Sequence, residues 1–338
     1  MTEGARATDG IPESRRKERV PGIPAGWTVI AAKDFADHIL SIRFTILLLL
    51  LGVIGAYMVY AISGTIRDAA QVASGSPQLF LFLFAGAAEP TEGFAVTFVG
   101  FVALLGPLLG IAFGFDAVSA ERAEGTLPRL VAQPIHRDDV INGKFVAALS
   151  VIVLIFAAVM LFIAGVGLFR LGVTPTGDEA LRLATWFLVA IVYVGFWLAL
   201  AMLASVLFRR AATAALVMIS AWIVLVLFWR LIGPVIAGLV APQRETDTIA
   251  QQIGALTTQQ NVLRISPSQM FSELSGVLLD PSQTSLGVVL PDERAIPSLL
   301  PFMQSLLVGW PLLIALIALT GACFALTYVS FMRQEVRA

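Results

Sequence analysis

Between residues 119 and 144 the chain reads SAERAEGTLPRLVAQPIHRDDVINGK, and side chains capable of chemistry crowd together there. Glu121 and Glu124 are paired carboxylates, which invite general acid and base work. That work needs a nucleophile or a histidine partner, and neither accompanies them. His136 stands with Asp138 and Asp139 in a polar turn, and the chain holds only 2 histidines, so no metal-ligand set is spelled out. Lys144 stands third in an NGKF sequence that looks like the end of a phosphate loop. The full G-x-x-x-x-G-K-[ST] pattern occurs nowhere, so no nucleotide site of the chain's own is expected. The stretch is predicted to form two short helices around a charged turn bounded by Ser119, Glu121, Glu124 and Gly125, with Thr126 and Leu127 opening the second and Pro134 ending it.

The surrounding sequence says what must position such a segment. Of 338 residues, 58% are hydrophobic and 13% charged, about half the charge of an ordinary soluble domain. This is the composition of an integral membrane protein. A hydrocarbon layer of about 30 Å takes roughly 20 apolar residues of helix, and six runs are long enough: residues 44–64, 94–115, 145–169, 183–208, 211–232 and 304–331. The run 78–88 is too short to cross and reads as interfacial or re-entrant. The lone cysteine, Cys323, allows no internal disulfide and is expected to pack as a small apolar side chain.

Residues 1–26 have too little apolar content to pack and read as a disordered tail. Residues 27–43 repeat Trp27, Ile30, Phe35, Ile39 and Ile42 at helical spacing, with Lys33, Asp34 and Asp37 on another face. That pattern suits a helix lying in the membrane surface. Basic residues set the orientation. The chain ahead of the first span holds seven, residues 116–144 hold four, Arg209 and Arg210 fill a tight connection, and Arg333 and Arg337 end the chain, whereas the first opposite loop holds only Arg67. The positive-inside rule then places both termini and the charged stretch in the cytoplasm, and residues 241–303 outside. Asp178 reads as a residue of an outer loop. Arg230 is expected to snorkel towards the outer headgroups. The span interiors are nearly free of ionisable side chains, which disfavours an ion-coupled carrier.

Directly after the second expected span comes DAVSAERAEGTLPRLVAQPIHRDDVINGK. It resembles the signature of the permease subunits of type-2 ABC transporters: D-x-x-S-x-E-x-x-x-G-T-L, then P-[ILV]-x-R, then a Gly-Lys pair opening the third span. The six spans, the amphipathic N-terminal helix and the late outer loop carrying SPSQMFSELSGVLLDP are also similar to that family. In particular the chain resembles the subfamily that includes the permease for nitrous oxide reductase maturation.

The resemblance implies an all-α protein of six transmembrane helices whose residues 116–144 form a cytoplasmic coupling element. ATP would be bound and hydrolysed by a dimer of a separate cytoplasmic ATPase, with no cofactor bound by this chain, and a second permease chain would complete the pathway. By position, Glu121, Glu124, Gly125, Thr126 and Leu127 would dock into or brace the ATPase groove. Pro134, Arg137 and Lys144 would fix the return into the third span. Membrane lipid is an expected partner and nucleic acid is not. The loop 241–303 carries Ile249, Ile253, Leu256 and Leu263 as a stripe. It could be a lid, a dock for an extracytoplasmic protein, or a cover over its own spans. Export is the first functional reading, a mechanical or scaffolding membrane unit the second, and an ion-coupled carrier the third.

Overall fold

Lipid tails are as apolar as leucine, so helices in a bilayer choose one another through close packing and hydrogen bonds rather than through burial from water. The computed structural model of the chain, which describes residues 26–72, 80–86, 97–125, 136–172, 174–243, 248–281 and 300–333, shows both devices. Its helices are α1 (Gly26–Ile39), α2 (Ile42–Val72), α3 (Phe82–Ala85), α4 (Phe98–Gly114), α5 (Ser119–Ala123) and α6 (Arg137–Leu171). They continue as α7 (Gly177–Leu207), α8 (Ala211–Trp222), α9 (Trp229–Val240), α10 (Ile249–Leu263), α11 (Pro267–Leu279) and α12 (Phe302–Arg333). A π-helical segment, Ile223–Phe228, joins α8 to α9. No strand occurs among the described residues, and six stretches are long and apolar enough to cross a membrane: Ile42–Ala61, Phe98–Ala123, Arg137–Phe169, Gly177–Leu207, Ala211–Val240 and Phe302–Arg333. The chain is an all-α integral membrane protein.

The boundaries differ from the sequence reading where polar residues join helices. The expected surface helix 27–43 divides at Leu40 and Ser41, so that Ile42 and Arg43 already belong to α2. Arg137 to Lys144 are not loop residues but the first turns of α6, continuous with the span. Asp178 lies in the first turn of α7, where Thr176 and Glu179 form a reciprocal capping box.

At the centre stands α7, most of whose apolar window is buried (67%), with α4 beside it (61%); the span Ala211–Val240 is only 17% buried. The α4–α7 contact rests on three glycines a turn apart. A Cβ on Gly110 would fall 2.7 Å from both the Leu198 nitrogen and the Val194 oxygen, and one on Gly114 would fall 2.8 Å from the Ala201 Cβ. At Gly106 the obstacle is Val194, at 3.0 Å. The two backbones therefore touch. Pro107 lies inside α4 and cannot donate to the carbonyl four residues earlier, Ala103. The Tyr193 hydroxyl of α7 donates to that carbonyl at 2.7 Å. Trp222 of α8 donates to the neighbouring Leu104 carbonyl at 2.9 Å. On the other side of α7, Thr320 and Thr327 of α12 donate to the Val192 and Ala199 carbonyls.

One end of the bundle is closed by a fully buried arginine. Arg182 donates to Asp178 (2.6 Å), the Leu278 carbonyl (3.0 Å), the Ser305 hydroxyl (3.0 Å) and the Leu300 carbonyl (2.6 Å). It thereby ties α7 to α11 and to the start of α12. Glu179 accepts from the Phe80 amide, and Phe84 packs against Trp186 and Phe98, so the short α3 is buried in the same end. From residues 241–303, α11 is a packed helix, with Phe271, Leu274 and Leu278 buried and the Phe271 ring stacked on Tyr193 at 4.5 Å. In α10, Leu256 and Leu263 are half-buried, whereas Ile249 and Ile253 are exposed.

The glycine contact gives a direct test. Gly110→Ala adds a methyl group where backbone, not a flexible side chain, must yield. It should destabilise the folded chain by about 1–3 kcal/mol, while Gly165→Ala, with open space around it, should not. Thermal unfolding in detergent of both variants checks this; equal midpoints would contradict the contact.

Candidate functional site: the charged joint at the α5 end

At the end of the bundle opposite Arg182, α4 runs out at Gly114 and the chain turns through residues 115–118 into α5. A short helix begins with unpaired amides. Here Ser205, a fully buried hydroxyl on α7, accepts from both the Val118 and the Ser119 amides at 3.0 Å and donates to the Ser119 hydroxyl at 3.2 Å. Ser119 is itself buried. The start of α5 is thus fastened to the central helix by amide hydrogen bonds to the Ser205 hydroxyl.

The side of α5 is fastened by charge. Lys144, in the second turn of α6, places its ammonium 2.6 Å from Glu121 of α5 and 3.1 Å from Asp34 of α1. All three side chains are at most 22% exposed. Two carboxylates held this close need the cation between them. Immediately before Lys144, Gly143 lets α1 approach: a Cβ there would lie 2.8 Å from the Trp27 carbonyl oxygen and from the Ile30 Cβ. Arg43 of α2 pairs with Asp116 at 2.6 Å and lies over the Phe115 ring at 5.4 Å. Arg137 lies over the Phe331 ring of α12 at 5.9 Å. Four elements, α1, α2, α6 and α7, therefore grip the turn that carries α5.

His38 sits in this joint, its ring edge-on to Phe113 at 5.3 Å. Burial lowers its pKa below the ordinary imidazole value; Asp34 and Asp116 oppose the shift, and Lys144 and Arg43 reinforce it.

The sequence-derived site residues separate into two sets. Glu121, Arg137 and Lys144 face inward and brace the joint. Glu124 and Gly125 end α5 on its exposed side, with Gly125 at a φ of +67°, the left-handed conformation that glycine adopts without strain. Thr126, Leu127 and Pro134 lie outside the described residues. Lys144 is a pairing residue for Asp34 as well as for Glu121, and Asp34 carried no signal in the sequence beyond its place on the polar face of α1. Ser205, in the middle of an apolar run, carried none at all.

Two outcomes follow from the joint. Lys144→Met leaves Glu121 and Asp34 facing each other without their cation and should cost about 3–5 kcal/mol, read as faster hydrogen exchange of α1 and α5. Unchanged protection there would contradict the pairing. The His38 imidazole takes up its proton near pH 6.5 when unfolded and only at lower pH when folded. Between these values the unfolded chain binds more protons, so the contribution of neutral His38 is present above about pH 6.5 and lost as pH falls through the folded pKa. Exchange of α1 amides, corrected for intrinsic pH dependence, should accelerate below pH 6.5 in wild type but not in His38→Phe; equal profiles would contradict it.

α5 is thus held against the central helix of a six-span bundle and ends at the exposed Glu124. Among curated proteins none matches the chain. A family model described as ABC-2 family transporter protein matches residues 28–336, nearly the full length, and the chain therefore belongs to the ABC-2 family of transporter permeases.

Proposed function

We infer that this chain is the membrane-spanning subunit of an ATP-driven exporter and takes its power stroke through α5. Membership of the family makes it a transmembrane component of an ABC transporter, and permeases of this family partner with an ATPase subunit. In the present reading a separate cytoplasmic ATPase dimer binds the ATP, this chain holds no cofactor, and a second permease chain completes the pathway in the plasma membrane. Both termini and α5 face the cytoplasm, in accord with the basic residues concentrated at that end. The similarity to the nitrous oxide reductase maturation permeases suggests the subfamily without naming the cargo.

The observation that carries the reading is the double fastening of α5, by Ser205 to α7 and by Lys144 to α6 and α1. A push on α5 cannot be absorbed by bending of its own root. It must displace α4 and α7, and with them α12, as one body. Within this scheme Glu121 braces the element from inside, while Glu124 and Gly125, with Thr126 and Leu127 following, present it to the ATPase.

Glu124→Lys is the cleanest probe, because Glu124 is exposed. Charge reversal at a docked position should lower recovery of the co-expressed ATPase at least tenfold and abolish permease-dependent stimulation of hydrolysis, with thermal stability of the chain unchanged. A rim charge would cost only about 0–1 kcal/mol. Wild-type recovery and stimulation in this variant would remove Glu124 from the contact, and failure of the wild-type chain to recover any ATPase would overturn the assignment.

A further inference from the structure

The segment joining the fifth and sixth spans does not stay at the surface. Ser266, in the turn between α10 and α11, donates its hydroxyl to the Leu225 carbonyl at 2.6 Å, and Leu225 stands midway along the span Ala211–Val240. A second measure agrees. Phe271, little more than one turn further on, stacks against Tyr193, which stands midway along Gly177–Leu207. Trp229 donates to the Leu263 carbonyl at 2.9 Å, and Gln259 to the Ala241 carbonyl at 2.8 Å, so the end of α10 descends along α9. α11 climbs back along α7, through Ser275 on Trp186 and the Leu278 carbonyl on Arg182. The pair is a re-entrant hairpin whose tip reaches half the depth of the spans.

Above that tip the hairpin carries charges, Arg264 two residues before Ser266 and Glu273 seven after it. Arg264 contacts Glu273 at 2.9 Å through both Nε and an Nη nitrogen. Asn261 accepts from Arg264 at 3.3 Å, and Gln269 donates to the other Glu273 oxygen at 3.1 Å. The pair keeps 19% and 17% of its side-chain surface open, and Ile265 beside it is 59% exposed. Ionisable groups at this depth are costly and mark binding sites or pathways more often than scaffolding. Stability alone does not call for this pair, since an apolar pair of like volume generally serves a buried position as well or better.

We propose that the Arg264–Glu273 pair, between the midpoint of the spans and their Arg182 end, is a binding site for the zwitterionic head of an amphiphile, with phosphate or carboxylate on Arg264, ammonium on Glu273 and apolar chain against Ile265. The argument is one of charge balance. A purely anionic head drawn to Arg264 would strand Glu273 unpaired in a medium of low dielectric, and a purely cationic one would strand Arg264. A zwitterion exchanges one ion pair for two and strands neither. The proposal gives a cargo class to the transport reading above and rests on it for that role, but the binding itself requires no ATPase.

The test is native mass spectrometry of the full chain in detergent with equimolar phosphatidylethanolamine and phosphatidylglycerol of identical acyl chains. Wild type should retain phosphatidylethanolamine at least tenfold over phosphatidylglycerol. Arg264→Gln and Glu273→Gln should each lose the preference. The double variant Arg264→Met with Glu273→Leu guards against misfolding: it should unfold at or above the wild-type temperature and show no preference. Displacement of the lipid by soluble phosphoethanolamine would assign the site to free zwitterions, and resistance to displacement would assign it to lipid. Absence of preference in wild type, or its survival in the double variant, overturns the site, and neither result bears on the ATPase partnership.

Discussion

The backbone contact between α4 and α7 is the constraint on which the remaining structure depends. Inside a membrane two helices gain little by hiding from solvent, and they hold together to the degree that their surfaces approach. Gly106, Gly110 and Gly114 remove the side chains from one face of α4, so that α7 lies against its bare backbone. Pro107 exposes the Ala103 carbonyl on the same helix, and Tyr193 closes that gap from α7. The result is a two-helix spine with specific hydrogen bonds at its middle, to which α12 is attached by threonines and α8 by Trp222. Helices with mostly open faces, α2 and α8–α9 above all, surround it.

The spine explains why charge collects at its two ends. At one end Arg182 satisfies the Leu278 carbonyl in the last turn of α11, which has no partner within its helix, and the carbonyl of Leu300, two residues before α12. At the other, Lys144 and Ser205 convert a five-residue helix, too short to persist alone, into a fixed projection of the spine. The Arg182 end is locked by a network of one carboxylate, one hydroxyl and two carbonyls around the buried guanidinium, whereas the Lys144 end carries its helix to an exposed terminus at Glu124.

The sequence made the spans legible because twenty-residue apolar runs have no other stable use in a chain of this composition. It misplaced the start of α7 by six residues, since Asp178, Glu179 and Arg182 looked like loop; the T-x-x-E spacing of Thr176 and Glu179 and the i,i+4 spacing of Asp178 and Arg182 were the available signals. The G-x-x-x-G-x-x-x-G series was equally readable and marks the spine. The depth of the α10–α11 hairpin was not readable. Its stripe of apolar residues is compatible with a surface cover, and it is the Ser266 bond to Leu225 and the stacking of Phe271 on Tyr193 that reveal how far it descends. The charged joint was half readable: the family signature points to Glu121 and Lys144, but their pairing with Asp34, 110 residues before Lys144, is a product of the fold.

If α5 and the spine move as one body, joining them covalently should change nothing. With Cys323 replaced by alanine, Ser119→Cys and Ser205→Cys place two thiols where the hydroxyls stand 3.2 Å apart. The oxidised, cross-linked permease, assembled with its ATPase, should stimulate ATP hydrolysis as well as the reduced form does. Loss of stimulation on oxidation and its return on reduction would show that α5 must swing against α7, and would contradict the rigid joint.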